Sequence, residues 1–380
     1  MRFFYFFLFS FISGCATVSS IDNTSHPQVQ KIHKAMASYS KIQHQPWPHL
    51  NAKQTLKPGS THNELAEVKK RLILLKDWPI ECEQNSTHLY DNCLKNAVRH
   101  FQKRHGLKDD GVLGQSTIQQ LNVSPSERIT SLQQSLEMWK KLPPKMADTY
   151  LLVNIPSYEL QAINQGKNEL SMRVVVGSRS WQTPTLDSEI KTIEINPGWN
   201  VPVNITEKEI IHKVLEDPNY LEEHNLKILE SWKPDAKEIN PRDIDWQEYA
   251  GPKDMPYRLV QEHSETSALG KIKFIFPNKD HIYLHDTPLK SLFNQPQRNL
   301  SHGCIRLEQP LKLLEYLSQT NPKLKVENVK PYLATTKSKH LALNKNMPLH
   351  ITYITSWVDN DEVVQFRDDI YGHFSQKRSF

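Results

Sequence analysis

Two short segments in the last third of the sequence concentrate side chains that can do chemistry. The first, His281–Pro288, indicates a strand on which Tyr283 and His285 share one face while apolar residues face the core. The second, Ser301–Arg306, contains Cys304, which follows His285 by 19 residues. That spacing is long enough for a loop to return beside the strand end. Because an imidazole next to a thiol favours the thiolate, the pair predicts a nucleophilic cysteine.

The neighbours of Cys304 would complete such a site. Gly303 lets the backbone bend just before the nucleophile and aim N–H groups at a developing oxyanion. For His302 three roles stay open, namely the base, support of the oxyanion and scaffold. Cys304 has a non-catalytic interpretation as a buried free thiol, and Tyr283 has one as a half-buried strand aromatic. The nearby histidines, the glycine and the lack of a partner cysteine disfavour the first of these.

The N-terminus carries a processing signal. The apolar run Phe3–Ile12 is too short for a membrane-spanning helix and fits the core of a secretory signal. The following Ser13-Gly14-Cys15 resembles the bacterial lipobox, so residues 1–14 are expected to be a lipoprotein signal peptide and Cys15 the lipidated residue. Ala16, directly after the cysteine, is typical of an outer-membrane destination. The alternative is a plain signal peptide with a coincidental cysteine.

Cys82 and Cys93 are a candidate disulfide. They lie 11 residues apart in one small region, and the oxidising periplasm that a secretory signal implies permits them to pair. Zinc binding is the alternative, but a second pair of ligands is missing near them. We therefore expect neither a metal nor another cofactor.

Length and composition limit the class of protein. A chain of 380 residues is expected to contain two or three domains. With 38% hydrophobic and 23% charged residues, it is neither a disordered polyelectrolyte nor a multi-spanning membrane protein. Its formal charge of +5 suits an anionic surface or polymer. This net positive charge is smaller than is typical of a nucleic-acid-binding protein.

Changes in hydrophobic periodicity divide the chain. A polar stretch without sustained period indicates a tether, a stretch with helical spacing follows, and one further amphipathic helix leads into a region of period-two strands. A late strand near residues 350–357 is expected to complete the scaffold. The predicted fold class is therefore multi-domain α+β. The expected bounds are 15–60 for the tether and scaffold, 61–122 for the helical domain, 123–147 for a helical connector, 148–330 for the catalytic domain and 331–380 for a C-terminal extension.

Residues 205–269 interrupt the predicted strands with helices and polar loops. The first of these helices is expected to begin with a capping box in which Thr206 pairs with Glu209, ahead of apolar residues at helical spacing. We interpret this segment as a helical insertion that covers the site as a lid.

The helical domain carries a longer signature. Its order and spacing resemble the three-helix peptidoglycan-binding domain, which implies that residues 61–122 bind the wall polymer; a bare helical module is the alternative. The residues that carry the signature are Ala97, Val98, Phe101, Gln102, His105, Gly106, Leu107, Asp110, Gly111, Gly114 and Thr117.

The reactive segments also resemble a known family. His285, followed downstream by Ser301-His302-Gly303-Cys304, is similar to the signature of the L,D-transpeptidases, which have a YkuD-type catalytic domain. In that family the upstream histidine is the general base and the cysteine is the nucleophile. The resemblance therefore implies these roles for His285 and Cys304.

The chain is most similar in pattern to the long members of this family from Gram-negative bacteria. The resemblance implies that Tyr283 and Ser301 support the oxyanion or the substrate, while Trp199 lies either in the donor groove or in the core. Arg306 replaces the asparagine of short members and is expected to meet either a stem-peptide carboxylate or a structural acid. The lipobox is a departure, because some long relatives use an uncleaved anchor. The shared segments are Asn196–Pro202, Ala268–Gly270, Tyr283–Pro288, Leu292–Phe293 and Arg298.

This resemblance implies an acyl transfer on peptidoglycan. Cys304 would attack the third residue of a donor stem peptide, release D-alanine and hold a thioester. The side-chain amine of a second diaminopimelate would then resolve the thioester into a cross-link between two third-position residues. The implied partners are the donor and acceptor stem peptides and, through the lipid anchor, the outer membrane facing the periplasm; nucleic acid is not expected.

Three other functions are compatible with parts of the sequence. The same site with water as the acceptor would be a carboxypeptidase, or an amidase that frees wall-bound lipoproteins. A zinc peptidase is suggested by the 17 histidines but lacks an HExxH motif. In a non-catalytic wall-anchoring lipoprotein, Cys304 would tolerate replacement by alanine.

Overall fold

The computed structural model describes residues 26–51, 54–82, 88–233, 235–251 and 253–374. The signal peptide at residues 1–14 and the lipidation expected at Cys15 lie outside these ranges. None of the helices within them is both long and apolar enough to cross a bilayer. The α-helices are α1 Pro27–Ser40, α2 Leu65–Leu74, α3 Asn92–Arg104, α4 Gln115–Asn122, α5 Pro125–Trp139, α6 Val203–Ile205, α7 Ile211–Glu216, α8 Tyr220–Glu223, α9 Pro310–Ser318 and α10 Val326–Leu333.

A helix occupies part of the expected tether. α1 buries Val29, Ile32, Ala35 and Tyr39 along one face and packs against α5. These residues recur at helical spacing, but the polar residues between them obscure the stripe in the sequence. The prediction of a tether is wrong for residues 27–40, because this stripe is buried against another helix.

The helical domain is built from α2, α3 and α4, which share one apolar core with α1 and α5. Asp91 caps α3 by accepting a hydrogen bond from the N–H of Leu94 at 2.7 Å. Gly106 ends the same helix with φ at 67°, a conformation that favours glycine. A disulfide joins Cys82 to Cys93, with Cα atoms 5.9 Å apart, and ties the loop after α2 to the start of α3.

Most strands belong to one nine-stranded sheet. In chain order the strands are β1 Thr149–Asn154, β2 Glu159–Asn164, β3 Lys167–Gly177, β4 Leu186–Ile195, β5 Trp199–Asn200, β6 Leu226–Leu229, β7 Glu238–Ile239, β8 Arg258–Gln261, β9 Ile272–Ile275, β10 Leu284–His285, β11 Asn299–Ser301, β12 Ile305–Leu307, β13 Lys339–Thr352, β14 Ser356–Val358 and β15 Val364–Phe366. The order in the large sheet is β11-β3-β12-β10-β9-β4-β13-β1-β2. Because β2 also pairs with β3, this sheet closes on itself around one apolar core.

The C-terminal extension lies at the centre of the large sheet. β13 begins earlier than the predicted late strand and runs between β4, to which it is antiparallel, and β1, to which it is parallel. β14 and β15 then form a hairpin, from which Val358 and Phe366 enter the core of the N-terminal helices. The extension therefore completes the catalytic sheet and also joins it to the helical domain.

The insertion is of mixed structure, not purely helical. Between β5 and β8 it forms a four-stranded sheet of order β5-β8-β6-β7, with short helices around a separate apolar core. Its strands of two to four residues are too short to give a period in the sequence. The predicted capping box is wrong, since Thr206 lies inside a continuous helical run and a π-helical turn spans Thr206–Ile210. Glu209 instead bonds a residue of the reactive segment.

Candidate active site

Two adjacent parallel strands position the reactive segments. β10 pairs with β12, with Leu284 opposite Ile305 and His285 opposite Arg306. Leu284 and Ile305 are fully buried in the core of the large sheet. Because side chains alternate along a strand, His285 and Arg306 point to the opposite face.

Cys304 lies on that same face. The N–H of Ile305 donates to the carbonyl of Tyr283 at 3.0 Å, which sets Cys304 beside Tyr283 at the start of β12. Both residues lie just outside the paired strands. The interaction of the Tyr283 phenol with the Cys304 thiol, and the contact of its ring with that of His285, place these side chains at one site. The fold therefore brings together the thiol, the imidazole, the phenol and the guanidinium that the sequence suggested for one site.

The strand predicted from His281 is shorter than expected. Only Leu284 and His285 have strand pairing, and His281 is exposed with φ at 54°. The Asn278 side chain explains the difference, because it accepts from the N–H of Ile282 at 3.0 Å and donates to the carbonyl of that residue at 2.8 Å. These bonds hold the backbone before β10 in a turn.

Burial keeps both reacting groups neutral at rest. It raises the pKa of the Cys304 thiol, although hydrogen bonds from Tyr283 and the charges of Lys273 and Arg306 act in the other direction. Burial, followed by the charge of Arg306, lowers the pKa of His285 to about 3. The thiolate–imidazolium pair expected from the sequence is therefore not the resting state. The imidazole is neutral, and its buried Nδ1 has no hydrogen-bond partner among the described residues.

Tyr283 connects the cysteine to the insertion. Its side chain hydrogen-bonds the Cys304 thiol and receives a hydrogen bond from the indole of Trp199. Its ring centroid lies 5.5 Å from that of His285 and 4.3 Å from Nζ of Lys273. Burial raises the pKa of Tyr283 well above its usual value, so the phenol stays protonated. Trp199 also packs on the apolar core of the insertion, which is one of the two positions that the sequence left open. Its place in the donor groove stays a prediction.

The guanidinium of Arg306 is not satisfied by the described part of the chain. Its Nε is buried and makes no hydrogen bond with any described residue. The carboxylate nearest along the chain, Glu308, is engaged by Arg173 at 3.1 Å instead. The structural acid that the sequence left open is therefore absent from the described part of the chain.

Hydrogen bonds hold the loop that carries the nucleophile. The hydroxyl of Ser301 donates to the carbonyl of Cys304 at 2.5 Å, and the hydroxyl of Thr183 donates to the carbonyl of Gly303 at 2.7 Å. Gly303 has φ at 107°, in the region that favours glycine. Ser301 and Gly303 thus shape the backbone around the sulfur, and the Ser301 hydroxyl is engaged by the Cys304 carbonyl.

His302 faces the insertion. Its Nε2 lies 2.5 Å from Oε1 of Glu209, which belongs to the π-helical turn. Its ring makes an edge contact with Trp181, with centroids 5.3 Å apart, and Nζ of Lys208 lies 4.7 Å from the same tryptophan ring. These contacts favour a scaffold role for His302 over the role of base. They also fasten the insertion to the reactive loop.

Two charged residues of this face were missed by sequence reasoning. Lys273 on β9 lies opposite His285, and Glu194 on β4 lies opposite Lys273. The two side chains form an ion pair at 3.6 Å and are 18% and 11% exposed. Each stands between buried apolar residues of its strand, and that alternation was the available signal.

The groups on this face suit nucleophilic acyl transfer. The site supplies a thiol, a neutral base and a protonated phenol in a poorly solvated setting, which are the parts that covalent catalysis at a carbonyl needs. Within the described ranges, no group of three or more histidine, cysteine or acidic side chains is arranged to hold a metal ion.

Comparisons with known proteins identify two domain families in the chain. Residues 148–328 match the YkuD family, described as the L,D-transpeptidase catalytic domain, and residues 61–121 match a family described as "Putative peptidoglycan binding domain". A curated Haemophilus influenzae protein, described as "Putative L,D-transpeptidase", is 34% identical over 273 residues, which are 71% of this chain and 54% of that protein. The chain thus spans about half the length of this relative.

Solved structures of similar proteins overlap only loosely. An L,D-transpeptidase from Xylanimonas cellulosilytica is 13% identical and covers 80% of this chain and 99% of its own, with a TM-score of 0.26. An L,D-transpeptidase from Stackebrandtia nassauensis is 13% identical and covers 78% and 94%, with a TM-score of 0.29. Overlaps this small add nothing to the domain matches. The predicted multi-domain α+β class is confirmed, and the chain contains a peptidoglycan-binding domain followed by an L,D-transpeptidase catalytic domain of the YkuD type.

Proposed function

We propose that the chain cross-links peptidoglycan through a thioester on Cys304, with His285 as the general base. The observation that carries the proposal is the face that a free thiol shares with a neutral imidazole and a protonated phenol. An imidazole on the neighbouring strand can take the thiol proton during attack, which activates a cysteine that burial keeps protonated at rest. The peptidoglycan-binding match at residues 61–121 supports the wall polymer as substrate.

The first half-reaction breaks a peptide bond of the donor. His285 accepts the proton of the Cys304 thiol as the sulfur attacks the carbonyl carbon of the third stem residue, the L-centre of diaminopimelate. The resulting oxyanion collapses, the C–N bond to D-alanine breaks, and the imidazolium returns its proton to the leaving amine. A thioester remains, which preserves an activated acyl group without ATP.

The second half-reaction forms the cross-link. The side-chain amine of diaminopimelate in another stem attacks the thioester carbonyl and gives a proton to His285. The C–S bond breaks, a new amide joins two third-position residues, and the imidazolium returns the proton to the sulfur of Cys304. The base therefore acts in both directions and ends neutral, as it began.

Tyr283 and the backbone at Gly303 and Cys304 would stabilise the oxyanion. The protonated phenol lies beside the sulfur, and the bend at Gly303 would let neighbouring N–H groups point at the reacting carbonyl. Loss of one such donor typically lowers kcat by about 10²- to 10³-fold. The Tyr283→Phe variant is therefore expected to have a lower kcat while it retains the Cys304 thiol.

Both wall-acting domains support a periplasmic location. A lipid on Cys15 would hold the protein at the outer membrane of a Gram-negative cell, facing the wall. In this position both stem peptides of the reaction would be within reach of the peptidoglycan-binding domain.

Muropeptide analysis tests the proposal. Purified sacculi are incubated with the wild type, Cys304→Ala, His285→Ala and His281→Ala, the last being a control at an exposed histidine four residues before the base. New third-to-third dimers are expected with the wild type and the control and not with the other two variants. Dimers formed equally by Cys304→Ala would refute a thioester mechanism.

The same experiment separates the alternatives. Tripeptide monomers without dimers would identify the site as a carboxypeptidase, and release of wall-bound lipoprotein would identify an amidase. An unchanged wall with every variant would indicate a non-catalytic anchor. Mass spectrometry after treatment with a carbapenem gives a second check, since an adduct is expected on the wild type and not on Cys304→Ala.

A further inference from the structure

We propose that Arg306 binds a carboxylate of the acyl donor and makes the site specific for donors with a free carboxylate close to the scissile bond. This inference rests on the proposed acyl transfer and adds the recognition of the donor to it. It starts from a guanidinium near the nucleophile whose buried Nε has no partner among the described residues.

Arg306 lies on the nucleophile's side of the sheet. It is the central residue of β12 and follows Cys304, the residue just before this strand, by two positions, so their Cα atoms are at most about 7 Å apart. His285 stands opposite Arg306 on the neighbouring strand. The guanidinium and the sulfur are close enough for each charge to influence the pKa of the other group.

The missing partner is costly. Nε of Arg306 is buried and unbonded within the described part of the chain, whereas the buried guanidinium of Arg104 makes bonds of 2.7 and 2.6 Å to Asp77. Burial lowers the pKa of Arg306, which reflects the loss of water around the charge. Because a guanidinium stays protonated in proteins, this cost persists until an anion arrives.

A carboxylate fits this position better than the other anions of the site. The planar fork of N–H donors matches the two oxygens of a carboxylate. The thiol of Cys304 is protonated at rest, and the oxyanion exists only during the reaction. The proposed donor offers two carboxylates, one on the leaving D-alanine and one at the D-centre of the diaminopimelate side chain.

Three donor tetrapeptides distinguish these sources. One is unmodified, one ends in D-alaninamide, and one carries a carboxamide at the D-centre of diaminopimelate. Release of the fourth residue is measured for the wild type, Arg306→Gln, Arg306→Lys and Arg179→Gln. Arg179 is the matched control, an exposed arginine on the loop after β3. Circular dichroism melts identify variants that fail to fold.

On the unmodified donor, Arg306→Gln is expected to have a kcat/KM about 10- to 100-fold below that of the wild type, mainly through KM. Arg306→Lys should retain part of the activity, and Arg179→Gln should match the wild type. One of the two amide donors should lower the kcat/KM of the wild type by a similar factor, whereas the kcat/KM of Arg306→Gln should be the same on that donor as on the unmodified one. The donor with this effect identifies the carboxylate that Arg306 binds. An equal loss by Arg306→Gln on all three donors would overturn the proposal.

A binding measurement separates this proposal from the acyl transfer. The three peptides are titrated calorimetrically into Cys304→Ala and into Cys304→Ala combined with Arg306→Gln, so that recognition is measured without chemistry. Weaker binding of one amide donor, seen only when Arg306 is present, supports carboxylate binding by Arg306 even if no donor is turned over. Equal binding of all three peptides, or binding of none, overturns it even if the wild type releases D-alanine.

Discussion

The contact between the insertion and the reactive loop gives a sharp prediction. Glu209 and His302 lie 2.5 Å apart with side chains 34% and 30% exposed, and Lys208 lies over the ring of Trp181. These contacts are expected to hold the insertion closed over Cys304. Replacing Glu209→Gln removes the charge and keeps the shape, while Lys208→Met removes the cation above the ring.

The size of the effect follows from the exposure of the groups. A partly exposed carboxylate–imidazole contact contributes about 0.2–1 kcal/mol, and an exposed cation–π contact contributes about 0.5–1 kcal/mol. Together they should stabilise the closed insertion by about 0.7–2 kcal/mol, because the two contacts lie on the same turn and act on the same opening. The double variant should therefore open about 3- to 30-fold more often, and Glu209→Gln alone up to about 5-fold.

Hydrogen exchange measures this opening directly. Amides of the π-helical turn and of Ser301–Arg306 should exchange faster in the double variant by the stated factor, since exchange through local opening follows the opening equilibrium. Lys213→Met is the matched control, because Lys213 lies over the Tyr220 ring within the insertion itself. An increase below 2-fold, or an equal increase across the whole chain, would refute the reasoning.

Three further predictions concern the thiol, the disulfide and the helical core. Because burial raises the pKa of Cys304, the pH midpoint of its alkylation by iodoacetamide should lie above the value of about 8.5 for a free cysteine. Lys273→Met should raise this midpoint further, since the charge of Lys273 acts against the shift. A midpoint below about 8.5 would contradict the neutral resting pair. Replacing both Cys82 and Cys93 by serine should lower the free energy of unfolding by about 3 kcal/mol, from the loop length, and unchanged calorimetric melting would contradict this. Asp77→Asn removes the carboxylate that pairs with the buried guanidinium of Arg104. It should lower the free energy of unfolding, measured with urea, by about 3–5 kcal/mol. A decrease below about 1 kcal/mol would mean that the pair is dispensable.

Much of the candidate site could be predicted from local sequence patterns. The alternation around Tyr283 and His285 defined which face they share, and the glycine before Cys304 indicated a bent loop at the nucleophile. Both features depend on neighbours along the chain, so the sequence contains them. The same holds for the helices of the peptidoglycan-binding domain, whose apolar spacing spans several turns.

The shorter strands and turns could not be predicted from the sequence. The strands of the insertion contain two to four residues, too few for a period, and the turn before β10 depends on the side chain of Asn278. Glu209 fitted a capping box by spacing alone. Its actual partner, His302, is 93 residues away, and no local pattern could indicate that contact.

The sequence by itself determined which groups could react and which of them share a strand face. Only the tertiary structure decided their charge states and partners. It placed Lys273 opposite His285, left the buried Nε of Arg306 without a partner among the described residues and buried the thiol deeply enough to keep it protonated. The physical reason is that periodicity is a local property of the chain. Desolvation and Coulomb interactions instead depend on which distant segments the strand order brings together.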